Sequence, residues 1–352
     1  MPNLGALARW GRVTPVTRHT YDQTKTRHWS GAPSAEVSRR NLLLGAAGLA
    51  LALAPLPAAA RQLSFERRRG GAQTQYRVRW LDHDGRERDV SFALETAEID
   101  AAARLFRDFS LEAMRDYLEA AIRQTATTWA QVKLEIERRP MAVDTVGVGY
   151  RLSGPPNLLE DADRQVKQAL NDARNRYTAA HLRRVDGNVI SVDYVVAMRR
   201  YVRAMWPLAQ ALLAVAGGAD ERGRVALALS FFQAIPYDEL RDRVRNGGYD
   251  FAPPPTLLEL NRGDCDSKAV ALACVLRAVT PGRLSAMATM PGHAILGVDV
   301  PWREGDAWVR QRGRVFIALE PAGPAMAPVG KVAPETARYL DAQRFSIWPL
   351  NA

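Results

Sequence analysis

The feature that most constrains this chain is an uninterrupted apolar run that follows a short polar stretch containing a cysteine. The run covers residues 269–275, and the stretch before it reads Gly-Asp-Cys-Asp over residues 263–266. An aspartate that can cap the first turn, followed by such a run, predicts a buried helix with Cys265 at its start. The positive end of the helix dipole favours a thiolate there, and a thiolate is a strong nucleophile. We therefore predict that Cys265 is a covalent catalyst.

The second cysteine, Cys274, lies inside the apolar run. Nine residues along one helix would separate it from Cys265 by about 13 Å and by about half a turn around the axis. A disulfide requires Cα atoms within about 7 Å of each other. We therefore expect both cysteines to be free and Cys274 to be a small residue of the core.

A histidine and a carboxylate follow the helix, each at one end of a predicted strand. His293 opens an apolar run that continues to Val300, and Glu320 ends a second apolar run that begins at Val315. A histidine can take the proton of the thiol, and a carboxylate can bond to the other ring nitrogen and fix the tautomer. Asp299 is an alternative acid, but it lies six residues from His293 along the strand, about 20 Å if extended.

The order of these residues resembles the transglutaminase-like superfamily of thiol enzymes, in its bacterial cysteine-peptidase form. The matching pieces lie between about residues 220 and 325: residues 231–237 and 253–258, then Gly-Asp-Cys-Asp, Gly-His-Ala and Leu-Glu-Pro. The resemblance implies an α+β fold with a papain/transglutaminase-like core. In that core, a helix carrying Cys265 packs on an antiparallel sheet that carries His293 and Glu320. It also implies that Gln233 helps to bind the oxyanion.

The resemblance implies a thiol enzyme that cleaves or transfers peptide or glutamine amide bonds through a Cys-His-Glu triad, without a cofactor. We expect hydrolysis, because water is abundant outside the cytoplasm, and a protein or peptide as the substrate. The alternative is a catalytically inactive binding module of the cell envelope. No metal is expected. Asp264 and Asp266 supply too few of the six to eight oxygens that calcium requires, and no CxxC or HxxxH pair is present.

The first 60 residues have the composition of an export signal. Residues 38–43, Ser-Arg-Arg-Asn-Leu-Leu, are close to the twin-arginine pattern, and three alanines at 58–60 offer a cleavage site. The apolar stretch over residues 42–56 is 15 residues long, which is short for a membrane span. We therefore expect a Tat-type leader over residues 1–60 and a periplasmic or otherwise exported product. Left uncleaved, the leader would anchor the protein in the inner membrane.

The charge of the chain gives little support for nucleic-acid binding. The net charge is +10, but residues 1–60 hold seven Lys and Arg against two acidic residues. The surplus that remains is spread over nearly 300 residues, whereas a nucleic-acid partner requires a concentrated basic face.

The remainder of the sequence predicts two domains. Residues 61–216 alternate strand and helix patterns, including a hairpin with its turn at residues 82–85 and an apolar helix over residues 192–215. Two glycines at 217 and 218 end that helix. We place the boundary there, between an α+β N-terminal domain (61–216) and a transglutaminase-like catalytic domain (217–352).

Overall fold

The computed structural model describes residues 9–12, 16–17, 61–137, 145–146, 148–186, 189–240, 251–323 and 326–350. The twin-arginine pattern and the cleavage site of the predicted leader lie outside these ranges. Two short pieces of the leader are described as strands, β1 (Arg9–Arg12) and β2 (Val16–Thr17). None of the described helices combines the length and the hydropathy that a bilayer span requires. Export therefore stays a prediction.

A three-stranded antiparallel sheet begins just after residue 60. It consists of β3 (Gln62–Gly70), β4 (Gln73–Leu81) and β5 (Glu87–Glu95), and helix α1 (Thr96–Asp108) follows. The predicted hairpin is formed by β4 and β5, because alternate apolar side chains face the core. Trp80 is fully buried there and donates a hydrogen bond to Ser230 Oγ at 3.0 Å, which ties the hairpin to a distant helix.

The next elements have a core of their own. They are α2 (Leu111–Ala126), β6 (Lys133–Glu137), β7 (Thr145–Val146), β8 (Gly149–Ser153), α3 (Pro156–Ala180), β9 (Arg183–Asp186) and β10 (Val189–Val192). Helix α2 begins after Ser110 because the Ser110 hydroxyl accepts a bond from the Ala113 N–H at 2.9 Å. Met114 of α2 and Leu170 of α3 are both buried in this core. Strands β1 and β2 pair with β8 and β7.

A group of helices forms the centre of the molecule. They are α4 (Tyr194–Tyr201), α5 (Trp206–Ala216), α6 (Glu221–Ala234), α7 (Pro254–Leu260) and α8 (Cys265–Val279). The single helix predicted over residues 192–215 is divided into α4 and α5, because Pro207 starts a new helix. Helix α8 begins at Cys265, as predicted. Its residues 267–279 are all buried except Arg277, which confirms a buried helix.

A five-stranded antiparallel sheet packs against α8. Its strands are β11 (Ser285–Met290), β12 (His293–Val298), β13 (Trp308–Gln311), β14 (Arg314–Leu319) and β15 (Ser346–Pro349), in the spatial order β13-β14-β12-β11-β15. Leu296 and Ile317 face the core that contains α8. Ile295 and Phe316 face the opposite side, where helix α9 (Pro334–Asp341) packs. The chain is therefore α+β with antiparallel sheets, as predicted, and the narrower papain/transglutaminase-like assignment stays a prediction.

The largest core extends across the predicted domain boundary. It contains residues of the N-terminal hairpin, of helices α4 to α8 and of the five-stranded sheet. Leu212 and Val225, on either side of the boundary, are both buried in it. Gly217 does end α5, with a φ of 55°, but the apolar faces of α5 and α6 pack together. The separate core thus belongs to residues within 109–190, rather than to all of residues 61–216.

Candidate active site

Cys265 is the first residue of α8, and three local features place it there. Asp264 is the N-cap, and its side chain accepts a hydrogen bond from a main-chain N–H of the first turn. Gly263 packs so closely on Leu257 that a Cβ would lie 2.8 Å from the Leu257 Cδ1 atom. Asn261 ends α7 in the left-handed conformation, with a φ of 50°. The chain can therefore turn directly from α7 into the helix that carries the thiol.

The Cys265 sulfur lies against the first residues of β12. The main-chain N–H groups of Ala294 and Asp266 lie close enough to Sγ to act toward a lower pKa of the thiol, and the cysteine is half-buried. Burial raises the pKa of the Cys265 thiol well above its ordinary value, and the carboxylates of Asp266 and Asp264 raise it further. This direction is opposite to the predicted preference for a thiolate. Burial and two negative neighbours disfavour the ionised sulfur, whereas the helix dipole favours it.

His293, the residue before Ala294, forms a hydrogen-bonded pair with Glu320. Strands β12 and β14 are antiparallel neighbours, with Leu296 paired to Leu319, so the start of β12 lies beside the end of β14. His293 Nε2 and Glu320 Oε1 are 2.7 Å apart. The pairing of the two strands is therefore what brings the imidazole and the carboxylate together.

The Glu320 carboxylate is held by two further donors at the N-terminus of α9. The Ala333 N–H donates to Oε2 at 2.6 Å, and the Thr336 hydroxyl donates to Oε1 at 3.0 Å. Burial by itself would raise the pKa of Glu320, but the bonds from His293, Ala333 and Thr336 lower it below the ordinary value. Glu320 is therefore an ionised carboxylate even though it is buried.

The bond to Glu320 decides which nitrogen of His293 is available. If Nε2 carries the hydrogen donated to the carboxylate, Nδ1 holds a free lone pair. Ala294, whose main chain lies close to Cys265 Sγ, is the next residue, so the sulfur and the imidazole lie at the same end of β12. Among the contacts of the described residues, no hydrogen bond joins Sγ to the ring. The structure thus brings Cys265, His293 and Glu320 to one end of the sheet.

Gln233 lies beside Glu320 but has no donor left for an oxyanion. Its side chain is 1% exposed, and Nε2 donates to the main-chain oxygens of Glu320 and Ala327, each at 2.9 Å. Its Oε1 accepts a bond from His83 Nε2 at 2.8 Å. Both amide hydrogens are therefore used. In this geometry Gln233 supports the main chain at Glu320, in place of the predicted oxyanion role.

His83 belongs to the same support, although its sequence position indicated only a turn. It follows β4 in the N-terminal hairpin, and burial lowers the pKa of its ring. The N-terminal hairpin is therefore connected to Glu320 of the candidate site, because His83 bonds to Gln233 and Gln233 bonds to the main chain of Glu320. Sequence reasoning missed this connection because the two residues are 150 positions apart.

Lys268 is a second residue that sequence reasoning missed. It lies one turn after Cys265 and is fully buried. Its Nζ donates to the main-chain oxygens of Ile235 at 2.5 Å and Ala322 at 2.7 Å. Burial lowers the pKa of Lys268 to about 7, although Asp264 and Cys265 act in the opposite direction. The available signal was a lysine next to an otherwise apolar helical run, because unpaired lysines are seldom fully buried.

Tyr237 borders the site on its solvent side. Its main chain forms a parallel bridge to Gly263, and the centroid of its ring lies 6.0 Å from Lys268 Nζ. The side chain is 42% exposed. Burial of the hydroxyl raises the pKa of Tyr237, and the nearby Cys265 and Asp264 add to the effect. Tyr237 is therefore an exposed aromatic residue within electrostatic range of the thiol.

Two other residues considered from the sequence lie away from this site. Cys274 is buried further along α8 and is free, as predicted, as is Cys265. Asp299 follows the far end of β12 and accepts a bond from Arg314 at 2.6 Å. Within the described ranges, no group of three or more His, Cys, Asp or Glu side chains is placed to hold a metal.

Comparisons with protein-family models, curated proteins and solved structures found no match to this chain. The family resemblance of the sequence therefore stays a prediction. What remains to support a function is the chemistry of Cys265, His293 and Glu320 at one end of the sheet.

Proposed function

We propose that this protein is a thiol enzyme that cleaves or transfers amide bonds of peptides, with hydrolysis favoured. One observation carries the proposal. The main chain of Ala294 lies close to the Cys265 sulfur, while the adjacent His293 bonds to Glu320 at 2.7 Å. A nucleophile, a base and an orienting carboxylate gathered in this way are the groups that acyl transfer by a thiol requires.

His293 is the general base in this proposal. Its Nε2–H donates to Glu320, and Nδ1 takes the thiol proton. Because the pKa of the Cys265 thiol is raised, the proton leaves as the sulfur attacks rather than before the substrate binds. Glu320, whose pKa is lowered, stays ionised and stabilises the imidazolium that results.

The covalent steps follow from this arrangement. A lone pair of the Cys265 sulfur forms a bond to the carbonyl carbon, and the π electrons move to oxygen. Cys265 is the first helical residue, so its N–H has no acceptor within the helix and can donate to this oxyanion. The C–N bond then breaks, the amine takes the proton from His293, and a thioester remains. Water attacks the thioester in hydrolysis, and an amine attacks it in transfer.

The substrate in this proposal is a peptide or protein of the cell envelope. Export by a Tat-type leader would place the folded enzyme in the periplasm. The half-exposed ring of Tyr237 borders the thiol and offers an apolar contact to a substrate side chain.

The second candidate function is a binding module that keeps the fold without catalysis. The observation that favours it is the raised pKa of the Cys265 thiol, since a protonated thiol is a weak nucleophile. The two functions differ in one measurable respect, which is whether His293 activates the sulfur.

Labelling with an electrophilic peptide tests the choice between them. We expect the probe to modify Cys265, and His293→Ala to slow the modification by roughly 10²-fold or more, with an unchanged circular dichroism spectrum. Cys274→Ala is the control and should be labelled at the unaltered rate. If the His293→Ala variant is labelled as fast as the unaltered protein, or if Cys274 is modified first, the enzymatic function is contradicted and the binding module is favoured.

A further inference from the structure

Lys268 is a buried cation that the proposed reaction does not use. Packing alone does not require a lysine at this position, because the next residues of α8, from 269 to 276, are all apolar and buried. Burying an ammonium group is unfavourable unless it is compensated by hydrogen bonds or by opposite charge. The surroundings of Lys268 supply both, and all of them belong to the candidate site.

We propose that Lys268 is a positioning residue of the Cys265 site, which holds two flanking segments against the start of α8 and supplies the positive charge that stabilises the forming thiolate. This inference rests on the proposed function, and it adds a residue to that machinery.

The two hydrogen bonds of Lys268 reach the segments that border the thiol. Ile235 O, at 2.5 Å, lies two residues before Tyr237, and Ala322 O, at 2.7 Å, lies two residues after Glu320. The lysine itself is one helical turn from Cys265. One ammonium group therefore fixes the nucleophile's helix, the aromatic border and the turn that follows the acid relative to each other.

Lys268 also lies within electrostatic range of Cys265. The titratable groups near its Nζ are Asp264 and Cys265 from the start of α8, and Tyr237 from the segment after α6. The Ile235 and Ala322 segments contribute only carbonyl oxygens. Asp264 and Asp266 oppose a negative charge on the sulfur. Opposite charges attract, so an ammonium group at Lys268, on which Cys265 acts to raise the pKa, would offset them.

Alkylation of Cys265 by iodoacetamide, followed from pH 5.5 to 9, tests the inference. Below pH 7, where the ammonium is charged, we expect Lys268→Met to react about tenfold more slowly than the unaltered protein, with the difference shrinking at higher pH. Lys331→Met is the matched control, because Lys331 is exposed and its Nζ also donates to a main-chain oxygen, that of Gly305 at 2.6 Å. A slowing of equal size at every pH, or none, would overturn the proposal.

A second measurement keeps the unaltered Lys268, in case the variant does not fold. Iodoacetate leaves a negative carboxymethyl group on Cys265, and iodoacetamide leaves a neutral group of nearly the same size. With lysine labelled for nuclear magnetic resonance, Lys268 should titrate at a higher pH in the carboxymethylated protein, because a nearby anion favours its charged form. Identical midpoints would overturn the proposal.

The outcomes separate this inference from the proposed function. If the reaction of Cys265 does not depend on His293, the proposed enzymatic function is wrong, and Lys268 has no thiolate to stabilise. If the dependence on His293 holds but both Lys268 tests give no difference, only the role of Lys268 is wrong.

Discussion

The two ends of helix α8 differ in what they bury. In and around the first turn, Asp264, Ser267 and Lys268 are polar residues that are almost fully enclosed. From residue 269 onward, every buried residue of the same helix is apolar. Burying polar groups is unfavourable unless they are paired, whereas burying apolar groups stabilises the fold directly. The first turn thus encloses polar groups that need partners, and the rest of the helix encloses apolar groups that pack.

The two cysteines show the same contrast in a single residue type. Burial raises the pKa of both thiols. The N–H groups of Ala294 and Asp266 act to lower the pKa of the Cys265 thiol. For Cys274 only its own N–H acts in that direction, and its Sγ lies 3.6 Å from the Met198 carbonyl oxygen. The two thiols therefore differ both in the peptide groups near them and in burial, because Cys265 is half-buried and Cys274 is 1% exposed.

The largest expected effect separates the two cysteines. Cys265→Ala should abolish covalent trapping by an electrophilic peptide, because it removes the nucleophile. Cys274→Ala should leave the rate within about twofold and lower the free energy of unfolding by about 1 kcal/mol, through the lost packing of the sulfur. Mass spectrometry and denaturant titration measure the two effects. Loss of trapping in the Cys274 variant would remove the contrast between the two ends.

The next effect concerns Glu320, the carboxylate that bonds to His293. Glu320→Gln replaces an ionised carboxylate by a neutral amide, which cannot stabilise the imidazolium of His293. We expect the labelling rate of Cys265 to fall on the order of 10³-fold while the fold is retained. Glu335→Gln is the control, because Glu335 is exposed in the first turn of the adjacent α9. Equal rates for the two variants would show that Glu320 has only a structural role.

A stability measurement compares a polar and an apolar buried residue of α8, Lys268 and Leu272, which lie one turn apart. Leu272→Ala should lower the free energy of unfolding by about 2–5 kcal/mol at every pH, because it leaves a cavity in the core. Lys268→Met should change the dependence on pH instead. The folded pKa of Lys268, about 7, lies below its ordinary value of 10.5, so between these values the unfolded chain binds more protons. The unaltered protein should therefore gain stability relative to Lys268→Met as the pH rises from 7 to 10.

Urea titrations at pH 6.5, 8 and 9.5 measure this difference. Two observations would contradict it: a Lys268→Met effect of constant size across the series, or a Leu272→Ala effect that varies with pH as strongly.

The smallest expected effect tests the support of Glu320. Thr336→Val removes one of the three donors to the carboxylate and leaves the bonds from His293 and Ala333. The pKa of Glu320 should then rise toward its ordinary value, and the labelling rate should fall less than tenfold. The stability that ionised Glu320 contributes, which is lost as the pH falls below its folded pKa, should also decrease. A fall in labelling rate as large as that of Glu320→Gln would mean that Thr336 has a role beyond its hydrogen bond to Glu320.

The parts of the site that could be predicted are those with a local cause. The cap at Asp264 and the start of α8 at Cys265 depend on neighbouring residues, so the sequence contains their signal. The strand that begins at His293 and the strand that ends at Leu319 are both predicted by apolar runs in the sequence. The α+β class followed from the mixture of these patterns.

The parts that could not be predicted depend on distant partners. Gln233 bonds to carbonyl groups 87 and 94 residues away, and Lys268 to carbonyl groups 33 and 54 residues away. Main-chain carbonyls occur at every residue, so the sequence does not indicate which one a side chain will meet. The raised pKa of the Cys265 thiol has the same origin, since burial is a property of the assembled core. The packing of α5 on α6 across residues 217 and 218 was also not predictable, because a glycine break ends a helix without separating the surfaces on either side.

Glu320 is anchored by residues that follow Cys265, His293 and Glu320 in the chain. Ala333 and Thr336 bond to Glu320 from the start of α9, and β15 completes the edge of the sheet beyond that helix. A protein shortened to end soon after Glu320 would keep every reacting side chain and still lose the groups that hold one of them in place. A shortened version of this protein therefore needs the final thirty residues if Glu320 is to stay in place.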